Sequence, residues 1–239
     1  MQRSLDALGV SHRFHFAVLS DTRSEVAAAE EVVWFARLVE ELPETSRVFY
    51  RRRAENTGRK AGNIEDFVQK SGGAYDYALI LDADSLMDGA TIAEMARRMD
   101  ADPQLGLLQT VPQVIGGESI FGRGMAFASS YYGPAFSRGV SALQGMEGPY
   151  WGHNAIIRTR AFAAHCGLPD LKGKPPFGGH ILSHDFVEAA LIRRAGAEGM
   201  VLLQNDGLLP LSRVGTVAVI GPNAKVAQIM GGGSAQLNA

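Results

Sequence analysis

The stretch Leu79-Ile80-Leu81-Asp82-Ala83-Asp84-Ser85 decides the fold class of this chain. An apolar run ends in two aspartates with one residue between them, and it predicts a strand over residues 75–84. Alternation along a strand sends residues i and i+2 to the same face. Asp82 and Asp84 are therefore expected to present two carboxylates together at the carboxyl end of a strand, where open α/β sheets gather their ligands. Two hard oxygen ligands suit Mg²⁺ or Mn²⁺ that also holds a diphosphate, and the natural occupant is a nucleotide-diphosphate sugar. The plainer alternative is that Asp82 starts a turn and Asp84 caps the helix after it.

Working outward, residues 14–20 (FHFAVLS) form an apolar run ending at Asp21 and predict another strand with an acidic end. Residues 24–42 space Val26, Val33, Phe35, Leu38 and Leu42 among Ala and Glu, which predicts an amphipathic helix stopped by Pro43. Residues 47–53 predict a short strand that turns basic, and residues 58–70 a loop running into a helix. Helices are expected at 91–101, 119–136, 160–165 and 185–194, and strands at 105–114 and 151–158, with a Gly/Pro-rich loop at 172–179. Strands alternating with helices predict an α/β fold whose sheet is mostly parallel and covered on both faces.

The bulk composition narrows the function classes. The 239 residues are enough to bury a real core, with 46% hydrophobic and 20% charged residues. A net charge of -2 gives no electrostatic reason to expect nucleic acid as a partner. The single cysteine, Cys166, excludes an intramolecular disulfide, fits a reducing compartment and reads as a small buried residue. No run of 18 apolar residues encodes a membrane span, and residues 1–12 do not read as a signal peptide. The composition changes after Ala195, which sets an expected boundary near residues 195–198 and two parts, 1–195 and 196–239.

Four further segments are placed to serve a donor sugar. Asp21, in Ser20-Asp21-Thr22, can accept hydrogen bonds from a base or ribose, or can act as a turn aspartate. The loop Asn56-Thr57-Gly58-Arg59-Lys60-Ala61-Gly62-Asn63 puts backbone N–H groups and two cations before a helix, which suits a diphosphate, although a solvated basic turn has the same composition. Tyr150-Trp151-Gly152-His153-Asn154 offers an aromatic ring beside polar side chains, a sugar platform unless Trp151 belongs to the core. Asp185 stands at a helix start after a Gly-rich loop, where it can take the proton from an attacking hydroxyl or serve only as a helix-start carboxylate. His180 and His184 read as solvated histidines rather than metal ligands.

Taken in order, the segments resemble the family 2 glycosyltransferases, and most closely the glucan biosynthesis glucosyltransferase H family, over residues 13–195. The matching stretches are VLSDT (18–22), YRRRAENTGRKAGNIEDF (50–67), LILDADSLMDG (79–89), LGLLQTVPQ (105–113), YWGHNAIIRTRAF (150–162) and GGHILSHDFVEAALIRRAG (178–196). The resemblance implies a GT-A-like fold. It implies inverting transfer of glucose from UDP-glucose to a growing β-glucan, in the synthesis of osmoregulated periplasmic glucans. Asp21 would contact the uracil nucleotide, Lys60 the nucleotide or diphosphate, and Asp82 and Asp84 UDP and the divalent metal. Asp185 stands where the family has its catalytic base, and Trp151, His153 and Asn154 would lie near the acceptor. The intact family sits in the inner membrane with a cytoplasmic catalytic domain, whereas this chain alone is expected to be soluble and cytoplasmic. It begins after the family's first strand and lacks both the downstream R/Q-x-x-R-W segment and the membrane helices, so impaired activity is expected. A non-catalytic domain that binds UDP and metal is the alternative. The tail, EGMVLLQNDGLLPL (198–211), VAVIGPNA (217–224) and GGGSA (231–235), resembles the start of the second domain of family 3 glycoside hydrolases. A chimeric chain joined near residues 194–197 is expected, and a β-glucosidase fragment is the remaining alternative.

Overall fold

The computed structural model describes residues 1–145, 148–174, 178–179, 181, 184–194 and 198–200. His180, the 195–198 boundary except Glu198, and the tail motifs beyond Met200 lie outside the described residues. The elements follow in the order α1 (Gln2–Ala7), β1 (Phe16–Ser20), α2 (Glu25–Glu41), β2 (Val48–Arg52), α3 (Arg59–Ser71), β3 (Tyr77–Ile80) and α4 (Gly89–Ala101). Then come β4 (Leu105–Gln109), α5 (Ile120–Tyr131), α6 (Gly133–Gln144), β5 (Ala155–Arg158), α7 (Thr159–His165), α8 (His184–Arg194) and β6 (Glu198–Met200).

The α/β reading holds, with parallel pairing at β1–β2 and β4–β6 and helices packed on the strands. The strands form a two-stranded sheet and a four-stranded sheet ordered β3-β5-β4-β6. Among the described strands of this sheet β5 is the one antiparallel member, lying between β3 and β4 with Ile156 opposite both Leu79 and Leu108. Residue alternation reports which face a side chain takes and carries no information on strand direction, so β5 could not be told from its neighbours by pattern.

Both faces of the larger sheet are covered. Ile64 and Val68 of α3, Phe162 and Cys166 near α7, and Ile192 of α8 close over Leu107, Ala155 and Ile157. On the other face Leu5, Ile92, Met95 and Met99 close over Leu105, Leu108 and Ile156. β3 splits its residues the same way, Ala78 and Ile80 to the first face, Tyr77 and Leu79 to the second. Ile157 is fully buried at the middle of this layer. Ile157→Ala is expected to lower stability by ~2–5 kcal/mol through lost burial and an unfilled cavity, measured as a shift in the urea midpoint at constant slope.

Several boundaries differ from expectation for local reasons. The helix expected at 119–136 is two, because Pro134 has no N–H to continue α5 and instead sits in the first turn of α6. The strand expected over 151–158 starts at Ala155, since Gly152 (φ 80°) and Asn154 (φ 51°) take left-handed conformations. β4 stops at Gln109 and β3 at Ile80, both short of their apolar runs. α2 is capped by Ser24, whose hydroxyl accepts from the Ala27 N–H, but its apolar stripe is open to solvent, with Val26, Val33 and Trp34 exposed and only Ala28 buried. The narrow β1–β2 pair meets that helix through Phe35 against Tyr50. No helix among the described residues is long and apolar enough to cross a membrane.

Candidate active site

The carboxyl ends of β1 and β2 lie side by side, Ser20 opposite Arg52. One residue on, Arg53 donates to both oxygens of Asp21 at 2.7 and 2.8 Å. The same guanidinium donates to the carbonyls of Thr57 and Arg59 at 3.1 Å each. Asp21 is thereby a strut that fixes the 56–60 loop, and its carboxylate keeps lone pairs beyond those given to Arg53. Beside it Glu31 accepts from the hydroxyls of Ser20, Thr22 and Tyr50, and these bonds hold its carboxyl below the usual range.

The loop enters α3 through two left-handed residues, Gly58 (φ 67°) and Arg59 (φ 51°). Gly62 is required next to them, because a Cβ there would lie 2.1 Å from the Thr57 carbonyl oxygen. Gly62→Ala is expected to push the loop off its Arg53 anchor and cost about 1–3 kcal/mol, as overpacking against rigid backbone does; thermal melting checks it, and an unchanged Tm would show that the loop yields freely.

Lys60, in the first turn of α3, forms an ion pair with Asp82. Asp82 and Asp84 do not stand on a strand. β3 has ended at Ile80, and residues 82–85 form a turn closed by the Ser85 N–H on the Asp82 carbonyl at 3.0 Å. The common-face argument from strand alternation therefore does not apply, and the two aspartates share a turn instead. Asp82 is half-buried against Lys60, while Asp84 is exposed with no hydrogen bond or ion pair among the described residues. Asp84 also does not cap α4, which begins at Gly89 after Asp88.

The third wall is the loop before β5. Trp151 donates its backbone N–H to Gln109 Oε1 at 2.8 Å, and the Asn154 carbonyl accepts from the N–H and hydroxyl of Thr110 at 2.9 and 3.2 Å. His153 Nδ1 lies 3.3 Å from Asn154 Oδ1. Trp151 and His153 are half-buried, and Asn154 is buried. Asp185, in the first turn of α8, packs on Gly152, its Oδ2 3.4 Å from the position a Cβ would take there.

These walls share one electrostatic neighbourhood. Burial, then the charges of Glu188, Asp185 and Asp82, push the Tyr150 hydroxyl well above the ordinary phenol range. Burial also pushes the Glu188 carboxyl up, against the opposing influence of His184 and the charge of Lys60. Asp185 thus acts on both buried groups, Asp82 on Tyr150 and Lys60 on Glu188. Asp21 joins through Arg53 and the 56–60 loop.

Four contributors were assigned no role in the site from the sequence. Tyr150 and Gln109 are wholly buried polar residues, and Glu188 is only 2% exposed. His184, expected in solvent, is buried instead, its Nδ1 3.1 Å from Glu188 Oε1 without hydrogen-bond geometry. Its i, i+4 spacing to Glu188 on a helix was the available clue. Cys166 is buried as expected, its thiol pushed up to about 12 by burial.

Asp82 and Asp84 fit a divalent cation. They are hard oxygen donors on one turn, one of them unpartnered, and Mg²⁺ is commonly held by one or two carboxylates with substrate phosphates completing the sphere. No group of three or more His, Cys, Asp or Glu side chains able to hold a metal occurs among the described residues.

Residues 200–239 match the family described as glycosyl hydrolase family 3 C-terminal domain. Over 82% of its length the chain is 60% identical to a protein of Cereibacter sphaeroides named glucans biosynthesis glucosyltransferase H, covering 33% of that protein. Proteins of the same name from Xylella fastidiosa and a Shewanella species (strain ANA-3) are each 54% identical, over 81% and 82% of this chain. The chain spans about a third of the length of these curated relatives. Residues 35–165, more than half of the chain, match the family described as glycosyl transferase family 2, and the chain belongs to that family.

Proposed function

We propose that the chain carries the catalytic chemistry of an inverting glucosyl transfer, with UDP-glucose as donor and a growing β-glucan as acceptor. The observation that carries this reading is the meeting of Lys60 with the Asp82–Asp84 turn, on a site that also feels the charge of Asp185. The names of the relatives support glucose as the transferred sugar and a glucan as the product.

Asp82 and Asp84 would hold Mg²⁺ or Mn²⁺, which when bound supplies positive charge to the departing diphosphate. Lys60, released from Asp82, serves the same oxygens as a point charge. Asp21 and Arg53 fix the loop on which Lys60 stands, and Asp21 offers its remaining lone pairs to the nucleotide. Trp151 gives the sugar an aromatic face, with His153 and Asn154 as polar partners. Asp185 takes the proton of an acceptor hydroxyl, which attacks the anomeric carbon opposite the leaving UDP. One base and one leaving-group clamp suffice, and the anomeric configuration inverts.

Residues 1–195 form the transferase part in this reading, and residues 196–239 a second piece joined to it, supported by the family match at 200–239. The whole protein would work at the inner membrane with this domain on the cytoplasmic side. The deciding experiment is calorimetric titration with UDP, with and without Mn²⁺. Binding that tightens about tenfold or more with Mn²⁺ is expected, since metal and diphosphate complete each other's coordination. Equal affinity in both titrations would sink the metal role of Asp82 and Asp84.

A further inference from the structure

Two buried polar side chains lie behind Asp185, and the transfer reading assigns neither a task. Gln109 closes β4, where it pairs with Ala155, and it is 0% exposed. Its Oε1 must face the Trp151 N–H, because that group can only donate, and this turns Nε2 toward a place with no acceptor. A methionine would fill the same space without a stranded donor, yet could not hold Trp151. With Thr110 on the Asn154 carbonyl, two successive residues of one strand end pin both ends of the 151–154 loop. Gly152, at φ 80°, is the point of that loop on which Asp185 rests.

Glu188 stands on the helix that carries Asp185. It lies three residues beyond Asp185, hence on the same side of α8, and its carboxylate is buried beside the His184 ring, which precedes Asp185. Its backbone carbonyl faces the Cys166 thiol, the donor at 3.7 Å, which ties this turn to the end of α7. Burial of both carboxylate and ring confines the first turn of α8.

We propose that Gln109 and Glu188 are positioning residues that hold Asp185 and Gly152 together from two sides and so set the angle at which the base meets the acceptor hydroxyl. The proposal rests on the transfer reading for its consequence, but the positioning itself has a readout that needs no turnover. Gln109→Met and Glu188→Gln are made in the 239-residue chain, each followed by amide hydrogen exchange, thermal melting, UDP calorimetry and, where UDP-glucose is turned over, kinetics. Exchange at residues 151–154 is expected to rise about tenfold or more in both variants while β4 and β5 amides hold. UDP affinity is expected to stay within about twofold, and kcat to fall about tenfold or more at constant KM, as misplacement of a catalytic group does.

Unchanged exchange at 151–154 in both variants would overturn the proposal. So would a rise shared by β4 and β5 with a parallel loss of UDP affinity, which is a merely structural effect, and so would local loosening with kcat intact. Two variants on different elements keep the test decisive if one unfolds. A chain that never turns over UDP-glucose defeats the transfer reading instead, and the exchange comparison still decides whether the two residues position Asp185.

Discussion

Asp185→Asn is expected to remove glucosyl transfer while UDP binding stays at its original strength. The amide keeps the size and planarity of the carboxylate, so the contact with Gly152 is retained, but it cannot take a proton from the acceptor hydroxyl. General base catalysis contributes ~10²–10⁴ in rate, and the loss should fall in kcat because the base acts on the acceptor rather than on the donor. Among the described residues the nucleotide half of the site takes its hydrogen bonds and ion pairs from other segments. Asp21 is anchored by Arg53, and Lys60 by Asp82, on other segments. UDP release from UDP-glucose and calorimetry with UDP, run on the same preparation, separate the two. Turnover that survives the substitution would remove Asp185 from the chemistry, and a matching loss of UDP affinity would make it a structural residue of the α8 start.

The fold was legible where the chain obeys its periodicities. β1, β2, β3 and the capped start of α2 lie inside their expected ranges, and α3 and α4 overrun theirs by only one or two residues, because apolar spacing, Ser24 and Pro43 act locally. What was not legible is set by tertiary context or by backbone sign. The left-handed Asn154 and Gly152 shorten β5, and no pattern of hydrophobicity encodes φ. The antiparallel direction of β5 depends on which connection brings it back between β3 and β4. The Asp82 and Asp84 pair was found for a reason that did not survive, since the strand ends before them and both stand on a four-residue turn. Motif residues with a chemical identity, Lys60, the two aspartates and Asp185, stood out. Their supports did not, because Gln109, Tyr150 and Glu188 work by being buried, and burial of a polar residue is visible only once the chain is folded. The exposed stripe of α2 makes the converse point: spacing predicted the helix correctly, but only Ala28 among its residues is buried.

The two carboxylates of the 82–85 turn are expected to respond differently to the same change, and the difference tests their division of labour. Asp84 is exposed and without a partner among the described residues, so under the proposed metal role Asp84→Asn would remove a cation ligand and leave the hydrogen bonds around it intact. Metal-free UDP binding should be unaffected, while the increment given by Mn²⁺ should shrink. Loss of a residue that merely orients a ligand already costs ~10–100-fold in metal affinity, so loss of a ligand itself should be at least as large. Asp82 also restrains Lys60. Under the same reading Asp82→Asn would remove a cation ligand and at the same time free the Lys60 ammonium group for the diphosphate. Metal-free UDP binding should therefore tighten or hold as the Mn²⁺ increment disappears, and added salt should weaken it more than in the parent chain, because the freed charge is partly exposed and open to screening. Calorimetric titrations of both variants with UDP, at two Mn²⁺ concentrations and two ionic strengths, give the whole comparison. Identical behaviour of the two variants without metal would mean that Lys60 does not pass from Asp82 to the diphosphate, and an intact Mn²⁺ increment in both would take the cation away from this turn altogether.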